Sequence, residues 1–105
     1  MLEVSYKPVI KLSQLINAVK AKNCRSFYFD FTRNDDNICR FPLDDNFIDK
    51  LKNRKNELAD SNEWWDKETI IDINNTLAAI DLLREIDKEE VLIDVDEYMW
   101  AAIPF

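Results

Sequence analysis

The chain has 105 residues, of which 47% are apolar and 11% aromatic, enough for one core and one domain, 1–105. It holds no glycine and no histidine, only two cysteines, and a formal net charge of −7. Phosphate-cradling glycine loops, imidazole-based triads, zinc fingers and disulfide scaffolds are therefore excluded, and no cofactor is expected.

The first residues lack the order of a signal peptide, and no apolar run approaches the roughly 20 residues that span a bilayer. A soluble, cytoplasmic protein is expected. "VSYKPVIKL" predicts a short first strand, with Pro8 marking an edge or a break. A helix follows, because Leu12, Leu15, Ile16 and Val19 recur at i, i+3, i+4 and i+7. Asn23 is its expected stop.

"SFYFDFTRNDDNICRFPL" alternates Phe27, Phe29 and Phe31 with Tyr28, Asp30 and Thr32 and then turns, which predicts a β-hairpin. Pairing residues whose numbers sum to 70 places the three phenylalanines beside Leu43, Phe41 and Cys39, with Asp30 opposite Arg40. A slip of one residue would set Phe31 against Arg40, so the first register is favoured. Cys39 then joins the phenylalanine face as a small apolar residue, too far from Cys24 for a disulfide.

Beyond Pro42, Phe47, Ile48, Leu51 and Leu58 share a helical sector behind Asp44 or Asp45 as N-cap. Lys50, Lys52, Arg54 and Lys55 spread around that helix instead of forming a stripe, and nothing aromatic is interleaved for base stacking. They read as a solvated surround, and nucleic acid is not an expected partner.

The third helix, "KETIIDINNTLAAIDLLREI", is expected to start at Asp66 as N-cap. Trp65 at N′ and Ile70 at N4 then have the spacing of a hydrophobic staple. Trp64 leaves in another direction, toward a different part of the core or into an exposed contact. Core is the commoner place for a lone large aromatic, while interfaces are enriched in tryptophan. Ile70, Ile73 and Leu77 mark one face of this helix and Ala79, Leu82, Leu83 and Ile86 nearly the opposite one. A kink near Asn74, Asn75 and Thr76, or burial on two sides, would account for the rotation. Val91, Ile93 and Val95 alternate with Leu92, Asp94 and Asp96 in a last strand, which Tyr98 to Phe105 extend or fold back upon. The fold class expected is α+β, with a small, mostly antiparallel sheet of four or five strands and three helices in the order βαββααβ.

Charge divides the chain. Residues 1–55 carry 11 basic and 7 acidic side chains, a net of +4, whereas residues 56–105 carry 3 basic and 14 acidic, a net of −11. Any single acid is a solubility feature, and alternating acids such as Asp94, Asp96 and Glu97 are commoner on the wet face of a strand than around magnesium. As a block, however, the acidic half makes a field that attracts a basic partner.

A small, acidic, single-domain chain without catalytic residues resembles the bacterial immunity proteins that neutralise secreted or contact-delivered toxins, including those of contact-dependent growth inhibition. The resemblance covers overall properties along the whole chain and rests on no motif. It implies a non-enzymatic toxin inhibitor that occludes a basic active-site cleft, such as that of a nuclease, through protein–protein contact. The candidate contact residues for such an acidic surface are Glu63, Trp64, Asp87, Glu89, Glu90, Asp94, Asp96 and Glu97. A phage-encoded DNA mimic acting on a restriction or CRISPR effector is an alternative, as is a carboxylate-dependent metal enzyme, which needs three or more acids converging in a pocket.

Overall fold

The computed structural model describes residues 8–22, 26–28 and 38–95. Six elements run along them: β1 (Val9–Lys11), α1 (Leu12–Val19), β2 (Ile38–Pro42), α2 (Asp45–Leu58), α3 (Trp64–Leu83) and β3 (Glu90–Asp94). The α+β class and the three helices are those expected. The sheet is not. Among the described residues it has three strands in the order β1-β3-β2, with β3 parallel to β1 and antiparallel to β2. This mixed sheet replaces the four or five mostly antiparallel strands read from the sequence.

The correction has a physical cause. Alternation shows that a segment is a strand with one wet face, but it does not name the neighbour. β2 pairs with β3, about 50 residues further on, setting Cys39 opposite Ile93 and Phe41 opposite Val91 on the core side. All four are fully buried. Arg40, opposite Leu92 on the other face, reaches diagonally to Glu90, with Nε 2.6 Å from Oε2. The partner arm of the expected hairpin, including Phe29, Asp30 and Phe31, lies outside the described residues, as does Cys24. Phe27 is described: it is buried, and its ring meets Phe41 edge-on at 6.3 Å. Cys39 is a buried thiol, as its place on the apolar face implied.

The helices enclose the core over the Cys39, Phe41, Val91 and Ile93 side of the sheet. α1 buries Leu12, Leu15 and Ile16, three of the four residues of its predicted stripe. It ends before Asn23: Lys20 takes the left-handed conformation at φ 62°, and the Ala21 N–H bonds back to the Ile16 carbonyl at 3.0 Å. α2 starts as expected, with Asp44 Oδ1 accepting the Phe47 N–H at 2.9 Å, and it buries Leu51 and Leu58. Lys50, Lys52 and Arg54 are exposed around it.

Candidate partner-binding surface

The link between α2 and α3 is built on one serine. Ser61 Oγ accepts the Glu63 N–H at 3.2 Å and donates to Asp66 Oδ2 at 2.6 Å. That pair of bonds tightens the turn, so helical backbone begins at Trp64 with Glu63 in the cap position. Asp66 thus lies inside the first turn, where its carboxylate faces the positive end of the helix dipole.

The expected staple is overturned by this start. Trp64 and Trp65 are the first two helical residues, 70% and 52% exposed. Trp65 does not reach back over the helix as an N′ residue would, and Trp64 is not core. Their rings instead touch each other edge-to-face, with centroids 5.7 Å apart and planes at 79°. Trp64 retains its standing as a candidate contact. Trp65 joins it, and adjacency in an acidic stretch was the signal available for both.

α3 is one continuous helix of 20 residues, so a break near Asn74 to Thr76, one of the two alternatives for its rotated apolar face, does not occur. Its buried row is Ile73, Thr76, Ala79, Ile80 and Leu83. Burial on two sides is not the answer either, because Leu82 is 44% and Ile71 49% exposed, and Ile86, in the turn that follows, is 54% exposed. The second apolar face noted in the sequence is therefore split: Ala79 and Leu83 join the buried row, while Leu82 and Ile86 look outward. Leu82 and Ile86 were missed as candidates because an apolar residue on a helix was taken for core, and Ile71 because it belongs to neither apolar face read from the sequence.

One polar pair ties α3 to the rest of the molecule. Thr76 is fully buried, and its Oγ1 donates to the Asp72 carbonyl at 2.7 Å while accepting the Tyr28 N–H at 2.6 Å. Both hydroxyl functions are used, as burial demands. One turn before it, the Asp72 carboxyl is pushed up to about 6, first by burial and then by the charge of Glu68.

The acidic end of α3 is partly structural. Asp87 Oδ1 accepts the N–H groups of Glu89 at 2.8 Å and Glu90 at 3.3 Å, shaping the turn into β3. Glu90 is committed to Arg40. Glu89 is exposed, its carbonyl accepting the Leu43 N–H at 2.9 Å. Asp94 is half-buried and stands beside Lys11 in the β1–β3 register. Asp96 and Glu97 lie outside the described residues.

The predicted contact set does not gather at one point. Twenty helical residues span about 30 Å, which separates Glu63 and Trp64 from Asp87, Glu89 and Glu90 at the opposite end of α3. What joins the two groups is the outward face of that helix. A groove of about 600 Å³ between α2 and α3 is lined by Asp45, Asp49, Lys52, Leu77 and Arg84 among others. Its charges are mixed, and Arg84 is already paired with Asp45 at 3.3 Å.

Among the described residues, no group of three or more histidines, cysteines or carboxylates converges to hold a metal ion. No described helix is long and apolar enough to cross a membrane. Comparison with protein-family models, with curated proteins and with solved structures gives no match to this chain.

Proposed function

We propose that this chain is a small acidic binding protein that captures a basic protein partner. In the manner of a bacterial immunity protein, it would neutralise a cognate toxin by covering the toxin's basic active-site cleft. The observation that carries this reading is the tryptophan pair: two large rings, 70% and 52% exposed, held at the start of α3 between Glu63 and Glu68. Exposed tryptophans of this kind supply contact area at interfaces, while surrounding acids select a basic surface and steer its approach. The charge division supports the same reading, since residues 56–105 carry the net −11 and contain both α3 and β3.

The structure refines which acids to test. Asp87 and Glu90 maintain a turn and an ion pair, so reversing them would disturb the fold. Glu63, Glu85 and Glu89 are exposed and suited to reversal. The experiment isolates the partner from the native host and then measures association rates at low and high salt. Reversal of Glu63, Glu85 and Glu89 to lysine should slow association far more than reversal of Asp35, Asp36 and Asp49 in the first half. Steering accounts for about 10- to 1,000-fold in rate and falls steeply as ionic strength rises. A rate insensitive to salt and to both sets of reversals would leave the acidic half as a solubility feature.

A further inference from the structure

α3 carries two rows of side chains, and the fold uses one. The outward row comprises Trp64, Glu68, Ile71, Asn75, Ala78 and Leu82, spaced 4, 3, 4, 3 and 4 residues apart. At 3.6 residues per turn these positions fall within a sector of about 80°. Alternating steps of three and four are the seam by which one helix packs along another. Ile86 prolongs the row into the next turn, 54% exposed. From end to end the seam is about 30 Å long, far more than an isolated surface leucine presents.

The polar members of the row decide what covers it. In a parallel pair of identical chains Glu68 would meet Glu68. In an antiparallel pair centred on Asn75 it would meet Leu82, leaving a carboxylate covered without a partner, which is strongly unfavourable. A lysine or arginine from a different chain would satisfy it. Beside the seam, Glu63, Asp81 and Glu85 stand exposed against Lys67, so the flank repels another acidic copy and attracts a basic one.

We propose that the outward face of α3 is a docking surface for a basic amphipathic α-helix of a partner protein. Apolar side chains of that helix cover Trp64, Ile71 and Leu82, and its cations meet Glu68 and the acidic flank. Asn75 sets the register, as a polar residue within a seam does. This rests on the reading that the chain binds a basic protein, and it narrows that reading to a surface and a partner chemistry.

The test uses a synthetic peptide of about three heptads, free of tryptophan, with leucine at both seam positions and lysine on the flanks. A second peptide of the same composition has its leucines scrambled around the helix. Both are titrated into the full chain, with tryptophan fluorescence and calorimetry as readouts. The patterned peptide should bind about tenfold or more tighter than the scrambled one. Ile71→Asp and Leu82→Asp, at exposed positions whose substitution should leave the melting temperature near that of the native chain, should each weaken it by about tenfold or more. Both variants make the surface more acidic, so simple charge attraction predicts the opposite sign. Equal binding of the two peptides, unchanged or strengthened by the aspartates, would overturn the seam while leaving the basic-partner reading intact. Failure of either peptide to bind at low ionic strength would count against both. Dimerisation of the chain alone, lost in Leu82→Asp, would overturn the proposal in favour of a second copy.

Discussion

The two ends of α3 divide the work of the helix. Residues 64–72 contain no buried side chain, whereas residues 73–83 bury five. The first stretch displays two tryptophans and Ile71, and the second closes the core alongside α1 and α2. A helix needs only one packed stretch to be stable, because tertiary burial supplies most of its stability, and once formed it carries its remaining turns. The unburied turns are then available for a partner. If this division holds, equivalent truncations along one helix should differ several-fold in their effect on stability.

The largest loss belongs to the packed end. Ile73 and Ile80 are fully buried, and truncating either leaves a cavity among side chains that cannot all collapse into it. Ile73→Ala or Ile80→Ala should cost about 2–5 kcal/mol, read from urea unfolding monitored by circular dichroism. A loss under about 1 kcal/mol would mean that this end is no better packed than the other.

Thr76 marks the boundary from the inside. Thr76→Val keeps the shape of the side chain but removes the acceptor for the Tyr28 N–H. An N–H left without a partner costs about 1–3 kcal/mol when buried and less at a part-buried contact such as this one, so the loss should fall below that of the isoleucines. A neutral result would show that water reaches Tyr28 and that the 26–28 segment is not fastened to α3 through this hydroxyl.

How far the sequence shows this division depends on the interaction involved. Asp44 as N-cap, Leu12, Leu15 and Ile16 as one buried face, and Val91, Ile93 and Val95 as another follow from local spacing and are found as expected. Long-range pairing was not legible in the same way. Nothing local in Cys39 and Phe41 tells that they oppose Ile93 and Val91, and this is why the sheet was read with the wrong number and sense of strands. At the candidate surface, a serine three residues before Trp64 set the helix start, and its side-chain bond to Asp66 outweighed the capping preference of Asp66 itself. The rotated apolar face of α3 was visible in the sequence, but periodicity does not tell a core row from an exposed one.

Asp72 lies between the two ends and titrates accordingly. Its folded pKa of about 6 stands above its ordinary 3.8 because burial and Glu68 disfavour the charge. Between about pH 4 and pH 6 the folded chain binds more protons at this site than the unfolded chain. Stability therefore falls as pH rises through that window, and the loss is complete above it. The side chain is only partly buried, so after allowance for solvent screening the effect is about 1 kcal/mol. Asp72→Asn should raise stability by about that amount at pH 7 and by little at pH 4. The difference between the two proteins is the quantity to follow, because other carboxylates titrate in both. A difference independent of pH would assign the effect to packing at the boundary instead of charge.

The smallest expected effect falls at the exposed start of α3. Trp64→Ala and Trp65→Ala each remove an indole that lies mostly in water, together with the edge-to-face contact between the two rings. Against that loss, alanine is the better helix former by several tenths of a kcal/mol. The two terms oppose each other, and each variant should stay within about 0.5 kcal/mol of the native chain, the range of ordinary surface substitutions. Chemical unfolding of both variants beside Ile80→Ala checks this under one set of conditions. A loss of 2 kcal/mol or more at either tryptophan, about the cost of a core truncation, would place that ring in the fold and withdraw it from the contact surface. If neither variant moves stability, the two rings exposed at the start of α3 contribute nothing measurable to folding, and their large apolar surface is left to be covered by whatever the protein binds.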